Sequence, residues 1–211
     1  MLRDYQAWHD QYDDPSSSLA QRLRIVQMRL SELLSAAASG PIRIVSICAG
    51  QGRDVIGALR DHPRRSDVAA FLVELDARNA EIARGAAAAA GLTQIHVLEG
   101  DAAFSNVYAP FVPADVVLAC GIFGNVSDAD IENTVRHVSM LCSPGAAIIW
   151  TRHRREPDLT LRIRGWFGES GFVESSFDSP ENSTFSGIGT ALLTATPAAF
   201  QAGFRFFTFI R

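Results

Sequence analysis

Residues 42–54 read Ile-Arg-Ile-Val-Ser-Ile-Cys-Ala-Gly-Gln-Gly-Arg-Asp. Residues 42–48, apolar and rich in β-branched side chains, predict a short strand. Gly50 and Gly52 follow at a spacing that lets the backbone turn tightly and approach a ligand closely. Residues 53–60 then read as helix. A strand, a glycine loop and a helix in this order open a parallel α/β sheet. A dinucleotide fold would want a third glycine three residues after Gly52, but that position is Val55.

Working outward, the alternation continues. Residues 68–74, 95–98, 115–120 and 146–151 predict four more strands. Helices are expected between them at 77–90, 128–141 and, after the last, 157–170. Gly91 and Gly171 supply the stops, and Ser127 opens its helix with Asp130 three residues on. Beyond Gly171 the character changes. Residues 172–177, 186–193 and 204–210 all look like strands with no helix between, so the sheet should end antiparallel. Upstream, Leu19, Leu23, Val26, Leu30, Leu33 and Leu34 form one apolar stripe of a helix that Gly40-Pro41 stops. The expected organisation is a helical N-terminal extension or lid over residues 1–40 and a single globular unit over 41–211.

The chain has 211 residues, enough for one domain with a sizeable core at 47% hydrophobic content. All 19 basic residues are Arg. Without Lys there is no Schiff-base residue for pyridoxal phosphate, no P-loop lysine and no kinase strand lysine. Arg and Ala enrichment points to a GC-rich coding sequence and hence a bacterium. A net charge of −4 argues against nucleic-acid binding, and no basic stripe is interleaved with aromatics. The N-terminal residues lack a signal-peptide h-region, and no stretch reads as a membrane span. Cys48, Cys120 and Cys142 include no metal-type spacing, so no metal site is expected. The expectation is a cytoplasmic protein.

In an open α/β sheet ligands bind beyond the carboxyl ends of the strands. The second strand ends in Glu74-Leu75-Asp76, with Glu74 22 residues past Gly52, where nucleotide folds place a ribose-binding carboxylate. Asp76 reads better as a helix N-cap. The third strand is followed by Glu99-Gly100-Asp101-Ala102-Ala103, and the fourth ends in Cys120-Gly121.

This ordered set of loops, with Ala83-Arg84 and the Pro144-Gly145 turn, resembles the class I S-adenosylmethionine-dependent methyltransferases over residues 42–177. The resemblance implies a Rossmann-like, mostly parallel seven-stranded sheet with helices on both faces. It implies S-adenosylmethionine as cofactor, S-adenosylhomocysteine as product, and an acceptor that is a small molecule. Ala49, Gly50 and Gly52 would line the methionine and ribose, Glu74 with Leu75 the ribose hydroxyls, Asp101 and Ala102 the adenine, and Cys120 and Gly121 the sulfonium. The family's usual acid near the end of strand one is Ser46 here, and its first glycine is Cys48. Something else must then do the acid's work, with Asp54 as one source, and the backbone at Cys48 should not need a glycine's conformation. Cys48 and Cys120, ending neighbouring strands, read as small buried residues rather than a disulfide. The Asn/Asp-Pro-Pro-Tyr signature is missing after strand four, where Phe123-Gly124-Asn125 stands, which disfavours adenine or glutamine as acceptor.

Where a proton must be removed, His153 and His9 are the catalytic candidates, with pocket lining as the plainer role for both. His153 follows the fifth strand in a basic run, 152–155, that is either solvated or anion-binding. The alternative to an enzyme is a non-catalytic S-adenosylmethionine sensor or partner subunit, motivated by Ser46 and the lack of an obvious base.

Overall fold

The computed structural model describes residues 11–179 and 186–210. Its first helix, α1 (Ser18–Ala36), starts where Ser17 accepts from Ala20 N at 3.0 Å, satisfying one of the orphan donors of the first turn. Then come β1 (Ile42–Ile47), α2 (Arg53–Leu59), β2 (Val68–Glu74), α3 (Ala77–Ala89), β3 (Ile95–Glu99) and β4 (Ala114–Ala119). The chain continues with α4 (Asp128–His137), β5 (Cys142–Arg152), α5 (Thr160–Glu169), β6 (Phe172–Asp178) and β7 (Gly187–Leu193).

The seven strands form one sheet in the order β3-β2-β1-β4-β5-β7-β6. β1 to β5 pair in parallel, whereas β7 runs antiparallel to both β5 and β6. The fold is the mostly parallel sheet that the alternation of elements implied, in the Rossmann-like form that the resemblance implied. Strand order reverses between β1 and β4, which makes the carboxyl ends of those two strands the switch point where a ligand crevice forms.

Each face of the sheet carries its own core. On one, Val26, Leu30 and Leu34 of α1 pack with Val55 and Leu59 of α2 onto Ile44, Leu118 and Ile149. α1 sits close to α2 because Gly57 has no side chain; a Cβ there would fall 2.1 Å from Gln27 Nε2, which donates to Arg53 O at 2.8 Å. The other face is covered by α4 and α5 and by the C-terminal residues Phe206 and Phe207, against Val117, Ile148 and Trp150.

Two expectations are corrected here. Residues 204–210 are not a strand of the sheet; they make only isolated bridges, Phe104 with Arg205 and Val126 with Phe209. Their aromatics alternate as a strand's would, but both Phe206 and Phe207 point into the helix-covered core, where burial rather than pairing fixes them. The second concerns Cys48, whose φ of 53° lies in the left-handed region. The turn out of β1 needs that conformation so that Ala49 N can reach Val73 O at 2.8 Å on the neighbouring strand. A cysteine there costs about 1–2 kcal/mol relative to glycine, and the fold tolerates it.

Candidate functional site

The carboxyl ends of β1, β2 and β4 bring three loops together. After β1, residues 48–52 form a sequence of left-handed turns, with Gly50 at φ 56° and Gly52 at φ 65°. Gly52 also has no room for a side chain: a Cβ would sit 2.6 Å from Leu72 Cδ2. After β2, Glu74 turns its carboxylate back over this loop. Its Oε2 accepts from Gly50 N at 2.8 Å and its Oε1 from Asp76 N at 2.9 Å. Burial raises its pKa above the ordinary value, and the backbone donors oppose that rise. Leu75 beside it is 62% exposed, an apolar side chain left facing outward at the crevice. Asp76 accepts from Arg78 N and Asn79 N at 2.9 and 3.2 Å, so it is the N-cap of α3.

After β3, Asp101 is exposed and its Oδ1 accepts from Ala103 N at 2.9 Å. Ala102 is buried, and its carbonyl holds the Tyr108 hydroxyl at 2.7 Å. After β4, Gly121 N donates to Thr151 Oγ1 at 2.8 Å, and nothing would lie within 4 Å of a Cβ on Gly121. There is open space beside Gly121. The three cysteines are free thiols; burial raises the pKa of Cys48 and of Cys120 and pushes Cys142 to about 12, which keeps them protonated.

Ser46 is buried one residue before the end of β1, paired with Leu72 and Leu118. The carboxylate at this end of the sheet is instead Asp54, in the first turn of α2. It is buried, accepts from Val55 N at 2.8 Å, and has its pKa raised by that burial, against the pull of Arg22. Arg22, from α1, donates to the Tyr12 hydroxyl at 2.7 Å, and the Tyr12 pKa is raised by burial with Asp54 and Cys120 contributing. The short turn Gln11–Asp13 is tied down further: Arg53 Nη1 bonds Asp13 at 2.6 Å and its guanidinium lies 5.5 Å from the Tyr12 ring centroid. Tyr12, Arg22 and Asp54 were not legible as a group, because Arg22 belongs to the polar face of a helix with an unremarkable pattern. Only the displaced acid at Asp54 gave a signal.

On the other side of Gly121, β5 ends in Thr151-Arg152-His153. His153 Nδ1 is buried without a hydrogen-bond partner. Burial, then Arg152 and Arg155, lower its pKa below the usual 6.5, so it is neutral at pH 7. Arg152 is buried rather than solvated. Asn125 Nδ2 donates to Gly121 O at 2.8 Å. The remaining described histidines are packed elsewhere: His62 against Ser35 and Ser31, His96 beside Phe111, His137 against Phe204. His9 lies outside the described residues. Among the described residues no group of His, Cys, Asp and Glu is arranged to hold a metal ion, and no helix is long and apolar enough to cross a membrane.

A family model described as "Putative methyltransferase" matches residues 19–167. Among solved structures, magnesium protoporphyrin IX methyltransferase from Synechocystis PCC 6803, with bound S-adenosylmethionine, superposes with a TM-score of 0.69 at 13% identity, over 90% of this chain and 91% of that one. An O-methyltransferase family protein from Burkholderia thailandensis gives 0.65 at 16% identity, over 92% of this chain and 61% of that one. A protein of Bordetella parapertussis described as a possible exported protein gives 0.63 at 17% identity, over 83% and 68%. At these identities the likeness carries the fold. No curated protein sequence matches the chain.

Proposed function

The chain belongs to the methyltransferase family whose model covers residues 19–167, and from that premise we propose that it transfers a methyl group from S-adenosylmethionine to a small-molecule acceptor. The observation that carries the cofactor is the placement of Glu74: an acid at the end of β2 whose carboxylate reaches the glycine loop after β1. The left-handed turns at 48, 50 and 52 and the side-chain-free space at Gly121 fit a ligand laid across the ends of β1 and β4.

When bound, S-adenosylmethionine supplies an electrophilic methyl on a sulfonium. The residues of the chain do the rest. Ala49, Gly50 and Gly52 would give close backbone approach to the methionine and ribose. Glu74 keeps lone pairs on both oxygens beyond the two backbone donors, enough to accept from a ribose diol, with Leu75 as an apolar wall. Asp101 and Ala102 would face the adenine, Asp101 through its exposed side chain. Asp54, taking the work of the acid missing at Ser46, would receive the ammonium of the amino-acid end, and Arg22 with Tyr12 its carboxylate. Cys120 and Gly121 would border the reacting centre. His153, neutral at pH 7, is the group on the acceptor side able to take a proton from a hydroxyl, a step that typically contributes 10²–10⁴-fold. His9 stays a second candidate.

The expected extension or lid over residues 1–40 finds support in the turn at Gln11–Asp13, whose Asp13 pairs with Arg53 just after the glycine loop; we propose that this turn carries the lid role, since α1 is packed into the core. Isothermal titration of the purified protein with S-adenosylhomocysteine, with NADH as control, tests the reading. Micromolar binding of the former alone supports it. Failure of S-adenosylhomocysteine to bind would mean the fold has lost its cofactor.

A further inference from the structure

Arg152 is the arginine buried most deeply among the described residues, at 9% exposure. It is also left with an unfinished set of partners. Nη1 donates to Phe123 O, while Nε is buried with no hydrogen-bond partner. Several more exposed arginines do have carboxylate partners: Arg29 with Asp178 and Arg164 with Glu174 at 2.7 Å, Arg64 with Asp67 at 3.0 Å. No carboxylate among the described residues lies within ion-pair distance of Arg152. The acids that act on it from further off, Asp128 and Asp158, face Arg162 and Arg154 instead. A buried guanidinium without a counter-ion is an expensive feature for folding alone.

We propose that Arg152 is the receptor for a carboxylate on the methyl acceptor, so that the substrate class is a small carboxylic acid. This rests on the methyltransferase reading above. The geometry favours a carboxylate because of which nitrogens are committed. With Nη1 held by Phe123, the Nε–Nη2 edge of the guanidinium is the one turned away from the protein bond. That edge presents two parallel N–H donors, which match the two oxygens of a planar carboxylate. The position is also right. Arg152 ends β5, next to His153, whose Nδ1 is likewise without a partner. It is one residue beyond Thr151, whose hydroxyl holds Gly121 N at the reacting centre. Gly124 covers this corner with no side chain: a Cβ there would come within 3.4 Å of His153 Cδ2 and 3.8 Å of Arg152 Nη1. An acceptor anchored by its carboxylate on Arg152 would thus lie between His153 and Gly121. Burial lowers the Arg152 pKa from its ordinary value, with Asp128 and Asp158 opposing; a guanidinium keeps its charge in proteins.

The test is a titration of ¹⁵N-labelled protein, with and without S-adenosylhomocysteine, using benzoate, benzamide and inorganic phosphate as probes. Benzoate should move the Arg152 Nε–Hε resonance saturably, and benzamide should bind at least tenfold more weakly. Arg152→Gln should abolish benzoate binding, Arg152→Lys should restore it only in part, and Gly124→Val should block it with the charge intact. Equal response to benzoate and benzamide, a response to phosphate alone, no response to any probe, or benzoate binding kept in Arg152→Gln would overturn the proposal. Binding of S-adenosylhomocysteine in the same samples is read independently, so a failed cofactor site and a failed acceptor site give different results.

Discussion

The carboxylate of Glu74 accepts from the backbone of Gly50 at 2.8 Å, which ties the end of β2 to the glycine loop that follows β1. One side chain therefore shapes the loop and faces the ligand crevice. Glu74→Ala should weaken S-adenosylhomocysteine binding by tenfold or more, because the proposed ribose acceptor and the loop brace are lost together. Asp76→Ala removes a helix cap, costs about 1 kcal/mol of stability, and should change affinity less than threefold. Calorimetric titration of both variants checks this; equal losses would move the ribose carboxylate away from Glu74.

Asp54 gives a prediction in which stability and binding part company. Its pKa is raised by burial, so the folded state holds the proton more tightly than the unfolded chain does. The stability this gives is fully present below the usual aspartate range and is lost as pH rises through the folded value. Asp54→Asn should thus melt higher than the parent at neutral pH, with the gap closing as pH falls towards 4; each 1 kcal/mol corresponds to about 2–4 °C at this size. The same variant should bind S-adenosylhomocysteine more weakly, yet bind methylthioadenosine, which lacks the amino-acid end, as the parent does. Weakening of both ligands alike would assign Asp54 to the loop's shape and not to the ammonium.

His153 should set the acid limb of the pH profile. Its pKa lies below 6.5, lowered by burial and then by Arg152 and Arg155. As a base it works in the neutral form, so kcat/KM should fall as pH drops through a value lower than that of a free imidazole. Arg155→Gln takes away one of the neighbouring cations and should move that limb upward. His153→Gln should lower kcat by about 10²–10⁴ with the limb abolished. A rise in KM alone would leave His153 as a wall of the pocket.

The sheet was legible because its signals are local. Alternating apolar runs, the glycines at 50, 52 and 91, and the capping serine at 127 each declare an element within a few residues. The C-terminal residues 204–210 misled because alternating aromatics look the same whether they pair in a sheet or drop into a core under helices. The first half of the candidate site was legible for the same reason as the sheet: Glu74 ends a strand, and Asp101 and Gly121 stand within two residues of one. Its other half was not. Tyr12, Arg22 and Asp54 come from three separate elements, and only tertiary packing brings them to one place. Arg152 looked like one member of a run of basic residues; what distinguishes it from Arg154 is burial, which no count of charges reveals.

The same limit applies to α1, which sequence alone sets apart from the rest as part of an extension. Leu30 and Leu34 are fully buried, and with Val26 they meet Ile44, Leu118 and Ile149 on three central strands. Removing residues 1–40 would uncover that whole face of β1, β4 and β5, so the shortened chain should be insoluble. Removing only residues 1–14 should leave a folded protein with weaker cofactor binding, since among the described residues it takes away Tyr12 and Asp13 and none of the core. Leu30→Ala, a cavity in this layer, should cost about 2–5 kcal/mol, shared by the whole chain in a single thermal transition. A soluble, cooperatively folding 41–211 fragment would instead make residues 1–40 a separate lid in full, and chemical denaturation of the three shortened or substituted chains distinguishes the two arrangements.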